Sequence, residues 1–276
     1  MPGSNSRALE KARELPADCL ILDLEDAVAP EAKASAREQI VAALAEGGYG
    51  HRELIVRVNG LDTGWGRDDL RAIANAGADA VLLPKVSKRE TIATAIKELV
   101  AAGAAPSLAV WVMAETPRGV MDLDRIITDQ PRLTTVVMGT SDLAKELRVS
   151  PHGGRAGLTH ALSHCVLASR THGLDIIDGV HLALDDAEGF RAACEQGREL
   201  GFDGKSLIHP RQIAAANECF GISEADAEAA REILAAWQVA RQSNSGLTVV
   251  RGQLIEQLHV DEASRKLAIY DATTGY

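Results

Sequence analysis

The chain reads as an α/β protein of the (β/α)8 barrel class, and three observations predict it. Seven short apolar runs, CLILDLEDAV, LIVRVNG, AVLLPK, LAVWVMAET, TTVVMGTSD, IIDGVH and GKSLIHP, each end in a polar or charged signature. Taking Asp23, Arg57, Lys85, Glu115, Asp142, Asp178 and His209 as their polar ends, successive separations are 34, 28, 30, 27, 36 and 31 residues, each the length of one strand plus one helix. The runs are apolar along their whole length and polar only at the C-terminal end, the pattern of parallel strands buried on both faces with chemistry at one mouth.

The elements follow in order. MPGSNSRALEKARELPADC predicts a turn and an amphipathic helix, with Asn5 or Ser6 as its cap. No strand precedes that helix, so the barrel is expected to have a truncated first strand or an irregular seam there. Between the apolar runs, SAREQIVAALAEG, DDLRAIANAGA, RETIATAIKELVAAG, LDRIITDQPRL, LTHALSHCVLASRTHG and DDAEGFRAACEQGRELGF carry apolar residues at three- and four-residue spacing, several closing on glycine. These are exterior helices. Near residue 220 the rhythm changes: SEADAEAAREILAAWQVARQ is a long helix opened by an S-x-x-D capping pattern, followed by GLTVVRGQLIEQLHVDEASRKLAIYD. The expected organisation is a barrel over 1–220 and an appendage over 221–276.

At 276 residues and 46% hydrophobic composition the chain can bury a sizeable core in a single barrel. A net charge of -10 with no basic block excludes nucleic acid as a partner. Cys19, Cys165, Cys194 and Cys219 lie far apart with no CxxC pair, which fits buried free thiols in a reducing compartment. With no apolar stretch of about 18 residues and no charged-then-apolar leader, the expectation is a cytoplasmic protein without a membrane partner.

Glu115 and Asp142 close neighbouring runs and point to one small cation over the mouth; two carboxylate oxygens plus waters suit Mg2+. The lesser alternative for Asp142 is the cap of the helix that LAKEL begins. Arg57, set between apolar residues in IVRVNG, must find an anion, either a substrate carboxylate or a barrel acid. Glu25 and Asp26 add acid at the same rim, where they hold metal-bound waters or simply end a loop. Lys33 and Arg37, at i and i+4, meet a phosphate or form a solvated face. His160 and His164 have zinc-like spacing without a third ligand nearby. Gly139-Thr140-Ser141-Asp142-Leu143 lacks the second glycine of a nucleophile elbow. Lys85 offers a Schiff-base amine or a strand-end anchor.

The ordered set DLEDAVAPEAKASAR, VRVNG, LLPK, AETPRG, MGTSDLA, IDGVHLALDDAEGF and GFDGKSLIHPRQI resembles the citrate lyase β-subunit-like proteins, the malyl-CoA and citramalyl-CoA lyase group of the HpcH/HpaI aldolase superfamily, over nearly the whole chain. The resemblance implies a β/α barrel in a homotrimer or homohexamer, with Mg2+ (or Mn2+ in its place) on Glu115 and Asp142. It makes Arg57 the clamp for the keto-acid carboxylate and gives Glu25 and Asp26 the metal waters. Relatives also begin with a strand ending in a PGS-like turn; Pro2-Gly3-Ser4 is present here without that strand. Their tail carries G-x-M-I-D, whose aspartate reaches a neighbouring subunit's site to handle the proton of the acetyl-CoA carbon. Here the segment is Gly252-Gln253-Leu254-Ile255-Glu256, which makes Glu256 the corresponding catalytic acid, one methylene longer.

The function expected on this footing is a Mg2+-dependent carbon–carbon lyase that cleaves or forms a 3-hydroxyacyl-CoA of the malyl-CoA type, giving an acyl-CoA and a 2-keto acid. A malyl-CoA thioesterase would use the same metal site with water attacking the thioester. A CoA-independent pyruvate aldolase and a non-catalytic subunit of a citrate lyase-like complex are the remaining alternatives.

Overall fold

A computed structural model of the chain describes residues 1–150, 154–243 and 245–274. Each of the seven apolar runs forms a strand: β1 (Cys19–Asp23), β2 (Glu53–Arg57), β3 (Ala80–Leu83), β4 (Ala109–Ala114), β5 (Leu133–Met138), β6 (Asp175–Asp178) and β7 (Gly204–Lys205). All pair in parallel, in the order β1-β2-β3-β4-β5-β6-β7. That order is what a chain of strand–helix–strand units lays down when each unit docks beside the last.

Two findings depart from the eight-stranded expectation. The sheet has seven strands, and among the described residues β7 does not pair with β1. β7 is only two residues long, and a short helical turn at Pro210–Gln212 follows it. On the outer edge of β1 stands a single parallel bridge, Pro2 to Asp23, made by Asp23 N–H donating to Met1 O (2.8 Å) and Gly3 N–H donating to Asp23 O (2.8 Å).

The helices are α1 (Ser6–Ala12), α2 (Lys33–Glu46), α3 (Gly66–Ile73), α4 (Arg89–Ala101), α5 (Pro117–Met121), α6 (Leu123–Ile127), α7 (Thr140–Leu147), α8 (Thr159–Thr171), α9 (Ala187–Leu200), α10 (Ile213–Phe220), α11 (Glu224–Gln242) and α12 (Gln257–Thr274). Local chemistry sets several starts. Asn5 caps α1 by accepting from Ala8 N–H, Asp186 caps α9 by accepting from Gly189 N–H, and Thr116 caps α5 with Pro117 at its first position. Gly201 ends α9 at φ 96°, a left-handed conformation that a side chain would strain.

Both faces of the sheet are buried. One face carries an apolar cluster of Ile55, Ala80, Leu82, Trp111, Met113 and Val137, with Cys19, Ile21, Ala109 and Ile177 against it. These are alternate residues along their strands, as a period of two requires. The intervening residues Leu22, Val56, Val81, Val110, Val112, Val136 and Ile176 are equally buried on the opposite, outer face. Each such side chain contributes about 1.5–3 kcal/mol on burial, so the strands tolerate polar groups only past their ends.

The chain divides into two compact units, Met1–Cys219 and Phe220–Tyr276. In the second, Ser223 caps α11 by accepting from Asp226 N–H (3.1 Å). A hairpin of β8 (Thr248–Val250) and β9 (Gln253–Ile255) follows, and α12 begins directly after Glu256. Arg251 and Gly252 both have positive φ (48° and 81°), the two-residue turn whose twist matches paired strands. Trp237, Ile255 and Val260 form the unit's small core.

Candidate active site

The inner face of the sheet fixes the site. Continuing the alternation of Ile21, Ile55, Leu82, Met113 and Val137 by two residues reaches Asp23, Arg57, Pro84, Glu115 and Gly139 at the C-terminal mouth. Asp23 and Arg57 are register partners on β1 and β2. Arg57 donates from Nε to Asp23 Oδ1 (2.6 Å) and from Nη2 to Oδ2 (2.5 Å), a bidentate pair. Asp23 also accepts from the backbone N–H groups of Glu25 (2.9 Å) and Ala27 (3.1 Å). Burial acts to raise the Asp23 carboxyl, but the guanidinium and these amides outweigh it and hold it below the ordinary carboxylate value. Arg57 Nη1 lies 3.2 Å from Glu25 Oε2 and donates to Met113 Sδ at 3.8 Å.

Glu115 follows β4 and is 2% exposed. Its Oε1 accepts from the backbone N–H of Lys85 at 2.6 Å. Gly139 makes room for it: a Cβ there would overlap both Glu115 Cβ and Oε2. Burial pushes the Glu115 carboxyl up to about 7, with the charges of Glu25 and Asp142 adding to the effect and the Lys85 amide and ammonium opposing it. Asp142 lies in the first turn of α7 rather than at the end of β5. No side chain caps α7, so Asp142 does not serve as its cap.

The donor set fits a hard cation of the Mg2+ type. It is made of carboxylate oxygens, one of them deeply buried beside further acids. Among the described residues no three His, Cys, Asp or Glu side chains form a ready metal cage. Two protein oxygens with the remaining positions left to water and substrate is the usual arrangement for Mg2+.

Glu25 and Lys85 complete the rim. Glu25 is 7% exposed, and burial raises its carboxyl above the ordinary value. One of its oxygens accepts from the Lys85 ammonium, which also lies 3.4 Å from the exposed Asp26. Burial acts to lower the Lys85 ammonium, but Glu25, Asp26 and Glu115 raise it well above its usual range. It is therefore a held cation rather than the free amine that Schiff-base chemistry requires.

Lys33 and Arg37 turn inward on their own chain. The buried Lys33 ammonium donates to Leu24 O (2.8 Å) and Glu25 O (2.7 Å), and lies over the Trp65 ring. Arg37 Nε donates to the buried Asp69 at 2.7 Å. Asp69 also accepts from Asn59, whose side chain in turn donates to Leu24 O. The pair thus shapes the loop carrying Glu25 and Asp26, and neither cation is directed at a phosphate site here. His160 and His164 stack on α8 with no third ligand among the described residues. Glu256 is exposed at the start of α12, its backbone N–H donating to His259 Nδ1 at 3.1 Å.

Two groups at this mouth escaped the sequence reading: Asp23, counted only as a strand end, and the Lys85 backbone amide. The signal available for Asp23 was its alternation with Ile21 and its place opposite Arg57 in consecutive units.

A cavity of about 500 Å3 lined by Gly50, Arg52, Glu53, Asp79 and Ser107 lies at the opposite end of the strands, away from the acids described above.

Comparison with known proteins bears on this arrangement. A (3S)-malyl-CoA thioesterase of Cereibacter sphaeroides is 49% identical over 276 residues, all of this chain and 94% of that one. An L-malyl-CoA/beta-methylmalyl-CoA lyase of the same species is 35% identical, over 95% of this chain and 90% of the relative. The crystal structure of CitE from Mycobacterium tuberculosis, in complex with magnesium, acetoacetate and coenzyme A, superposes with a TM-score of 0.75 at 27% identity, covering 98% of this chain and 96% of that one. The expectation of a carbon–carbon lyase is corrected by these relationships. Over its full length the chain is far more similar to the thioesterase than to the lyase. No helix among the described residues is long and apolar enough to cross a membrane. The HpcH/HpaI aldolase/citrate lyase profile matches residues 1–210, the whole of the sheet and its mouth, and the chain belongs to that family.

Proposed function

We propose that this protein is a Mg2+-dependent thioesterase that hydrolyses a 3-hydroxyacyl-CoA of the (3S)-malyl-CoA type to free CoA and the hydroxy acid. The observation that carries the reading is the contrast between 49% identity to a thioesterase and 35% to a lyase, each across nearly the full chain. In support, a guanidinium and several carboxylates stand together at the mouth, the residue types that a carboxylate-bearing acyl group and a hard cation call for.

Arg57 Nη1, exchanging its contact with Glu25, would bind the terminal carboxylate of the acyl group, the guanidinium's aim set by Asp23. Glu115 and Asp142 would hold Mg2+, which when bound supplies Lewis-acid polarisation of substrate oxygens. Glu25 and Asp26 would order water at the rim. The attacking water forms the new carbon–oxygen bond at the thioester carbonyl as the carbon–sulfur bond breaks. Glu256 takes one proton from that water and passes it to the departing thiolate. We assign this Glu256 to the appendage, residues 221–276, of a second copy in a homotrimer or homohexamer working in the cytoplasm, and read the sheet as a TIM barrel with Met1–Gly3 beside β1 at the eighth position.

The test is product identity. Purified protein with Mg2+ and (3S)-malyl-CoA should release free thiol and malate, followed by thiol titration and mass spectrometry. Accumulation of glyoxylate and acetyl-CoA without free thiol would sink the proposal.

A further inference from the structure

Lys85 is the residue at the mouth whose conformation the proposed reaction does not require. It is held at φ 51°, a region that glycine enters freely and a side chain enters only at a cost. The turn has two consequences. It directs the Lys85 backbone N–H at Glu115 Oε1 (2.6 Å), and it throws the side chain the other way, over the rim, where the ammonium contacts Glu25 and lies 3.4 Å from Asp26. A glycine would give the first contact without strain. The lysine side chain must therefore supply the second.

The charges around it say what that supply is. The mouth gathers Asp23, Glu25, Asp26, Glu115 and Asp142, five carboxylates, against Arg57 and Lys85. Arg57 is bound to Asp23 on two donors and reaches Glu25 with a third, at 3.2 Å. Lys85 contacts Glu25 and lies 3.4 Å from Asp26, and its side chain is 45% exposed, so it meets both the mouth and what enters it.

We infer that Lys85 is the mouth's counter-charge: a positioning residue that fixes Glu115 through its amide, while its ammonium weakens the pull of the acids on a divalent cation and strengthens their tolerance of an anionic substrate. The inference rests on the reading of Glu115 and Asp142 as the cation pair. It has an opposite-signed signature. Removing the ammonium removes a like charge from the neighbourhood of Mg2+ and an unlike charge from the neighbourhood of a carboxylate, so one affinity rises as the other falls. Loss of a merely structural side chain moves both affinities the same way.

The experiment is calorimetric titration of the full chain with Mg2+ alone, then with malate at saturating Mg2+, in the parent, Lys85→Met, Lys85→Gly, Lys85→Arg and Glu115→Ala. For Lys85→Met and Lys85→Gly, Mg2+ should bind about three- to tenfold more tightly and malate about three- to tenfold more weakly, both shifts shrinking as salt is raised. Lys85→Arg should stay within about twofold of the parent on both axes. Lys85→Gly, which relaxes φ and keeps the amide, should melt no lower than the parent, so a folding defect cannot account for its shifts. Mg2+ and malate affinities that fall together, or that do not move, overturn the counter-charge role. If the parent fails to bind Mg2+, or Glu115→Ala binds it as well as the parent, the cation-pair reading itself has failed, a separate outcome from the Lys85 result.

Discussion

Two buried ion clusters stand at strand ends in this protein, and they differ in which face of the sheet they occupy. Asp23, Arg57 and Glu115 continue the inner face set by Ile21, Ile55 and Met113. Asp178 follows Ile177, an inner residue, and so falls on the outer face, where Lys205 is its register partner. The outer cluster is closed. Asp178 accepts from Arg155 on both oxygens (2.8 Å each), from Lys205 (2.7 Å) and from Gly179 N–H (2.8 Å). The remaining Arg155 donors go to Gln196 and Ala193 O, and the Asp178 and Lys205 side chains are 0% exposed. The inner cluster is less closed: Arg57 divides its donors between Asp23 and Glu25, and Glu115 is a buried acid with neighbouring acids. One residue of parity separates the closed outer cluster from the inner, candidate site.

The sharpest way to break this comparison is Glu115→Gln. If the inner cluster is the site, the variant should lose about 10³-fold or more in Mg2+-dependent turnover with the far-ultraviolet spectrum unchanged, because the amide keeps the shape and loses the ligand charge. Retained turnover would remove Glu115 from the site. Asp178→Ala should show the reverse: about 3–5 kcal/mol of lost stability in denaturant, since Arg155 and Lys205 are left buried without their anion, with KM little changed in whatever protein remains folded. A catalytic defect without a stability loss would erase the distinction between the faces.

Glu256→Gln tests the appendage. About 10²-fold lower turnover at unchanged Mg2+ affinity is expected if it handles the proton, and parental rates would assign that step elsewhere. Arg57→Lys keeps the charge but cannot keep both the two-donor Asp23 grip and a further donor for a substrate carboxylate, so KM should rise about tenfold with kcat less affected. An unchanged KM would leave Arg57 as a structural partner of Asp23 alone.

The smallest effect is on pH. Folding raises the Glu115 carboxyl from its ordinary 4.5 to about 7, so the folded state binds that proton more tightly than the unfolded state. Its contribution to stability is present below pH 4.5 and is lost as pH rises through about 7. In chelator, the parent should therefore lose several degrees of melting temperature relative to Glu115→Gln between pH 5 and pH 8. Parallel melting curves for the two proteins would place the Glu115 proton outside this window.

Much of the molecule was legible in the sequence because its signals are local. Each apolar run became a strand, Asn5 and Ser223 cap the helices their side chains suggest, and Glu115 lies at the mouth beside Arg57. The lyase reading failed for a physical reason: it drew on short motifs at strand ends, and it was similarity over the full length, 49% to a thioesterase against 35% to a lyase, that separated the two reactions. The phosphate role of Lys33 and Arg37 rested on helical spacing, which puts two cations on one face without saying whether loop carbonyls and Asp69 take them first.

By itself the sequence determined the parallel α/β class, the order of the strands and the end of the sheet at which polar residues collect, since these follow from the period of apolar residues along the chain. Tertiary structure alone decided that Asp23 holds Arg57 and that Gly139 makes room for Glu115. It also decided that Lys85 turns left-handed to join two loops and that Asp178 faces away from the site. Those facts depend on which side chains meet across sequence separations of tens of residues and on how much water is excluded where they meet, and neither quantity is written in any local stretch of the chain.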